Sequence, residues 1–171
     1  MKCTNIGVGL TLAATLAWAA PAKAQAIDIN CSGTVQQTWS PGLKLLPQLV
    51  DYSNTTEYTT CTSTDPDITE GAIFVTAEYT DSCLANVGTT GEFTVEWSDG
   101  TSSTMALEAV GINVVGTVQI FTAIGTVSAG RFLGDQAVMV NTYVVTQLAA
   151  CLTPQGLTEL SGSTSLVLID I

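Results

Sequence analysis

The chain predicts an all-β fold, an antiparallel eight-strand sandwich of immunoglobulin-like size with two disulfides, a closed β-barrel being the alternative. Three observations carry that expectation. Beyond the first two dozen residues, Thr, Val, Ile and Gly crowd the sequence and apolar residues recur at period two. That is the signature of strands with one buried face. Turn-forming pairs and glycine clusters punctuate this stretch at short intervals. Four of the five cysteines also fall within it, an even number suited to two bridges.

The N-terminus reads differently. Lys2 supplies a positive start, residues 6–20 form an apolar run, and Ala22-Lys23-Ala24 overlaps Ala24-Gln25-Ala26 as two small-x-small cleavage sites. This is the pattern of a secretory signal peptide over 1–26, leaving 27–171 as a single domain. The apolar run is short for a membrane span, and Pro21 follows it directly. Ile29-Asn30 before Cys31 lacks the small residue of a lipoprotein site, which argues against lipid anchoring. Cleavage removes Lys2 and Lys23, leaving Lys44 and Arg131 against fifteen acids and a formal charge of −13. Such a surface repels nucleic acid and anionic lipid. The expected location is extracellular, where thiols oxidise.

Eight strands are expected, in order. The first covers roughly 31–39 and ends at Pro41-Gly42; the second covers 49–61 and ends before Asp65-Pro66; the third covers 72–83. The fourth, 92–98, sets Phe93, Val95 and Trp97 on one face and Glu92, Thr94 and Glu96 on the other. Asp99-Gly100 then forms a hairpin turn into 101–110, where Met105, Leu107 and Ala109 alternate. The sixth, seventh and eighth are read at 114–123, 136–148 and 162–171, with Gly125 to Gly134 and Pro154 to Gly162 as connections. Stretches 109–130 and 136–158 carry no charge except Arg131's neighbourhood between them. Asn113, Gln119, Asn141 and Gln147 interrupt them, so buried strands explain them better than membrane spans. An outer-membrane barrel would want aromatic girdles, and aromatics make up only 6% of this chain.

If successive antiparallel strands cross the whole body, their ends alternate between two poles. Cys31 starts the first strand and Cys61 ends the second, at one pole. Cys83 ends the third and Cys151 follows the seventh, at the other. Bridged Cα atoms must lie within about 7 Å, which predicts Cys31–Cys61 and Cys83–Cys151. A zinc site fits worse, since no C-x-x-C spacing or histidine is present.

Trp39-Ser40-Pro41-Gly42-Leu43, Tyr58-Thr59-Thr60-Cys61, Ser82-Cys83, Trp97-Ser98-Asp99-Gly100 and the run from Gly125 to Gly134 occur in that order. With the start at Cys31, they resemble a group of small secreted proteins common in Streptomyces and related actinobacteria. The resemblance covers nearly all of the mature chain and rests on turn and disulfide signatures. It implies export by a bacterium and carries no catalytic residues with it.

Catalytic chemistry finds little support. Activating a hydroxyl nucleophile needs a base near neutral pKa, and the chain has no histidine. Lys44, in the loop 41–47, reads as a solvated ammonium. The carboxylate pairs Glu92/Glu96 and Glu78/Asp81 read as solvent-face acids and not as a glycosidase pair. Asp65, Asp67 and Glu70 are a weak Ca²⁺ candidate, since extracellular calcium prefers such oxygens. The alternative is a turn started by Asp-Pro and capped by Asp67 and Glu70. Leu43, Leu45, Leu46 and Leu157 form a possible binding patch at the Cys83–Cys151 pole, or else fold down to plug it. Asn54-Thr55-Thr56 is formally a glycosylation sequon. By elimination the expectation is a secreted, non-enzymatic module for an extracellular protein or glycan. An assembling subunit of an extracellular layer, pairing edges at 109–130 and 166–171, is the second expectation. A carboxylate-based hydrolase is the remote one.

Overall fold

A computed structural model describes residues 25–84 and 90–171. Most of the segment read as a signal peptide, through residue 24, and residues 85–89 between the expected third and fourth strands lie outside the described residues. Eight antiparallel strands follow one another: β1 (Ile27–Leu43), β2 (Gln48–Ser63), β3 (Gly71–Asp81), β4 (Thr90–Trp97), β5 (Ser102–Val115), β6 (Val118–Gly130), β7 (Gln136–Val144) and β8 (Leu157–Ile169). A 3-10 helix, Val145–Leu152, joins β7 to β8.

Each strand pairs with its sequence neighbour and β8 pairs back onto β1, so one sheet closes into a barrel. The all-β class, the eight antiparallel strands and the two bridges are as expected; the architecture is the closed barrel, not the two-sheet sandwich. The deciding contact is the long β1–β8 register, which runs from Ile27↔Ile169 to Leu43↔Leu157. Alternation within a strand says which face is buried but not whether the first and last strands meet. Residues 118–126 of β6 and 162–169 of β8 are paired on both sides, whereas 109–115 of β5 pair with β6 alone. Of the edges invoked for assembly at 109–130 and 166–171, those two paired stretches are internal to the barrel.

Side chains sort cleanly by face. Ile29, Cys31, Val35 and Trp39 of β1 point inward and are buried, while Asn30, Ser32, Thr34 and Gln36 face out. The same holds on β5, where Ser103, Met105, Leu107 and Ala109 are buried and Ser102, Ala106 and Glu108 are exposed. An apolar interior with a Ser/Thr/Glu-rich exterior is the reverse of the arrangement that a lipid-embedded barrel requires. No described helix is long and apolar enough to cross a membrane.

Three local departures from the expected boundaries have simple causes. The β5–β6 turn sits at Gly116-Thr117, not near residue 112. Gly116 holds φ +62°, a conformation favourable to glycine, and Val115 pairs with Val118 across it. Residues 125–130 belong to β6, and only 131–134 turn. The expected seventh strand stops at Val144, and the rest of it coils as the 3-10 helix. At the Ser32-Gly33 step β2 bulges by one residue, Thr59, and the strands approach closely; a Cβ at Gly33 would stand 1.8 Å from the Glu57 carbonyl oxygen.

The strand alternation creates two poles. One carries the chain start of β1, the end of β8, the β2–β3, β4–β5 and β6–β7 turns and the Cys31–Cys61 bridge, whose Cα atoms are 4.1 Å apart. The other carries the 44–47 loop, the end of β3, the 3-10 helix and the Cys83–Cys151 bridge, with Cα atoms 6.1 Å apart. Both pairs are those that alternating strand ends bring together.

Candidate functional site

The first pole is closed. Trp97 lies across it, donating from Nε1 to Ser103 Oγ at 2.8 Å, and that hydroxyl donates to the Arg131 carbonyl at 2.6 Å. Phe132 packs edge-on against the indole at 6.1 Å, and Arg131 sits 5.7 Å from the Phe132 ring centre. Gly71 makes room for this stack, because a Cβ there would meet the Trp97 ring at 2.7 Å. Ile29, Ile68, Ile73, Leu166 and Leu168 complete a fully buried plug.

The acids at this pole are engaged by neighbouring groups of the protein. Asp65 forms an ion pair with Arg131, and its Oδ1 accepts the Asp67 amide at 3.1 Å. The turn starts at Asp65, the Asp-Pro position expected to begin it, and its carboxylate, not that of Asp67, accepts the backbone amide there. Asp99 accepts from the Thr101 amide and hydroxyl at 2.8 and 2.7 Å, which holds its carboxyl below the usual range. Among the described residues no three His, Cys, Asp or Glu side chains are placed to hold a metal. Asp135 is buried at the start of β7; desolvation above all, then Asp28 and Asp170, push its pKa up to about 6.

Among the described residues the second pole is open. Here the barrel holds a cup of about 580 Å³, within the range of sites that take a single small molecule. Trp39, Tyr52 and Tyr79 line one wall, and Phe93, Phe121 and Tyr143 contribute further aromatic surface. Leu107, Ala123 and Met139 also line it and belong to the plug cluster, so the cup rests on the closed half of the barrel. Ala77, Ala109 and Ala123 keep it hollow, since inward positions that would otherwise hold large side chains end at a methyl group.

Sheet geometry opens this end. β2 and β3 pair from Gln48↔Asp81 to Tyr58↔Gly71, but β3 and β4 pair only at Gly71↔Trp97 and Ala72↔Glu96. Beyond those pairs the two strands diverge. Val75, Ala77 and Tyr79 therefore line the cup with part of their surface exposed.

Most of the cup's polar groups are neutral. Gln37 Nε2 donates to Tyr52 Oη at 3.0 Å. Trp39 Nε1 is buried with no hydrogen-bond partner. Burial raises the phenol of Tyr79 to about 12 and drives those of Tyr52 and Tyr143 higher still, so all three stay protonated. Asp81 supplies a carboxylate on its lining, and among the described residues no Lys or Arg lines it. Lys44 is exposed in the loop at the same pole, its carbonyl accepting the Cys83 amide.

The leucine patch divides. Leu43 and Leu157 pair across β1 and β8, are buried, and form part of the cup wall. Leu45 and Leu46 are 47% and 80% exposed on the adjoining loop, and Leu84 and Leu152 are exposed beside the two bridged cysteines. Glu92 and Glu96 face outward from β4, and Glu78 is exposed on β3. Asn54 of the sequon is buried inside the barrel, its Nδ2 donating to Thr56 Oγ1 at 3.1 Å.

Sequence reasoning did not find the aromatic wall. Trp39, Tyr52 and Tyr79 lie on three consecutive strands, and the register of β1 with β2 and of β2 with β3 brings the rings together, Trp39 pairing directly with Tyr52, with centroids 5.8 Å (Trp39–Tyr52) and 5.5 Å (Tyr52–Tyr79) apart. The available signal was the inward phase of each aromatic on its strand. No protein-family model, curated protein or solved structure matches this chain.

Proposed function

We propose that the protein is a secreted, non-enzymatic binding module that holds one small apolar molecule in the open end of its barrel. The observation carrying this reading is the aromatic cup of about 580 Å³. Folding tends to fill a barrel of eight strands with side chains. Here alanines stand where larger residues would close the space. A disulfide at each pole stiffens the scaffold independently of any guest, which suits a binding site formed in advance. The cup offers phenols held neutral by burial and no histidine, which supports binding over acid–base turnover. Export, inferred from the N-terminal 26 residues, fits the two bridges.

Titration with a neutral, environment-sensitive fluorophore such as N-phenyl-1-naphthylamine tests this reading. Saturable one-to-one binding is expected, weakened at least about ten-fold by Ala77→Trp, which fills the mouth. Thermal melts of the variant verify that it is folded. No saturable enhancement with the wild-type protein would refute the reading.

A further inference from the structure

The charge around the cup narrows its guest. We infer that the cup selects organic cations, apolar amines or quaternary ammonium compounds, over carboxylates of the same skeleton. This rests on the proposed binding function and specifies its ligand.

Two independent features of the wall support it. Trp39, Tyr52 and Tyr79 form a continuous aromatic surface, Tyr79 meeting Tyr52 edge-on. Ring faces attract a cation through their quadrupole, most strongly where water is excluded. Asp81 lies two residues beyond Tyr79 on the same strand and lines the cup. Among the described residues no cationic side chain lines the cup to receive an anion. A carboxylate head would leave water to sit near Asp81 with no partner, and a buried unpaired charge is strongly disfavoured. An ammonium would meet π faces and the Asp81 carboxylate together.

Competition against the neutral fluorophore, using dodecyltrimethylammonium, dodecanol and dodecanoate below their aggregation concentrations, tests the inference. The expected order is cation, then alcohol, then carboxylate, with about ten-fold or more between the extremes at low salt. Asp81→Asn should narrow the cation-to-carboxylate ratio severalfold; Asn retains a side-chain oxygen for the Ser82 amide that Asp81 now accepts at 2.7 Å. Glu57→Gln, on the barrel exterior, controls for general surface charge and should leave the ratio unchanged. Equal or tighter binding of dodecanoate overturns the inference while leaving the binding function standing. An Asp81→Asn variant that is folded and keeps the full ratio overturns it as well. Failure of the neutral fluorophore to bind removes the binding function itself.

Discussion

Two tryptophans in one barrel meet opposite fates. Trp97, at the closed pole, has its indole N–H engaged by Ser103 and its ring stacked edge-on against Phe132. Trp39, at the open pole, is equally buried but its N–H meets no acceptor, and its ring faces a cup. The plug is saturated with contacts and the cup is left with unspent ones. A barrel can be finished at one end and unfinished at the other because each pole is built from a different set of turns. Stability then concentrates where the packing is complete, and binding capacity where it is not.

Removing the bridges separates the poles most forcefully. Replacing Cys31 and Cys61 together with Ala, or Cys83 and Cys151 together, should each cost roughly 3–5 kcal/mol in chemical denaturation. The second loop, 68 residues against 30, should cost about 0.7 kcal/mol more on loop entropy alone. The open-pole pair should also weaken fluorophore binding, whereas the closed-pole pair should spare it in protein that remains folded. Equal effects on binding would erase the distinction between the poles.

The same substitution at the two tryptophans gives a finer comparison. Trp97→Phe strands Ser103 and shrinks the plug, for an expected loss of about 2–3 kcal/mol. Trp39→Phe removes a donor that has no partner, so its stability change should stay within about 1 kcal/mol while binding falls. Urea midpoints at unchanged m-value measure both.

Asp135 brings pH into the contrast. Its folded pKa of about 6 lies above the unfolded carboxylate value of about 3.9, so folding favours the protonated form. Its contribution is complete below about pH 4 and is lost as pH rises through about 6. Asp28 on β1 and Asp170 after β8 supply the neighbouring negative charge, and the cation at this pole, Arg131, is engaged by Asp65. Asp135→Asn should therefore raise stability at pH 7.5 by about 1–2 kcal/mol and converge with the wild type near pH 4. A constant difference across that range would assign the effect to packing.

The smallest effect is expected at the rim. Leu45→Ser with Leu46→Ser should change stability by no more than about 0.5 kcal/mol, because both side chains are exposed. Leu43→Ala or Leu157→Ala, in the wall, should cost about 2–4 kcal/mol. Similar losses at rim and wall would mean that the loop folds down onto the barrel in solution.

Period-two alternation along the chain was sufficient to read the strands, their inward faces and, through the parity of strand ends, which cysteines meet. Those properties are local, because each follows from a strand's own repeat and from counting reversals. Closure, expected only as the alternative, the parting of β3 from β4, and the aromatic wall were not legible. They depend on how β1 registers with β8, on where β3 and β4 cease to pair, and on how β1, β2 and β3 register with one another, the first being a relation between residues more than a hundred positions apart. The turn at Gly116-Thr117 was missed because Ile112 to Val115 continue the strand pattern without a break. The sequence thus determined an all-β, twice-bridged chain with alternating faces; the tertiary structure alone decided that it closes on itself and leaves one end hollow. The physical reason is that alternation fixes the direction of every side chain, while an empty space exists only once the walls around it have been assembled.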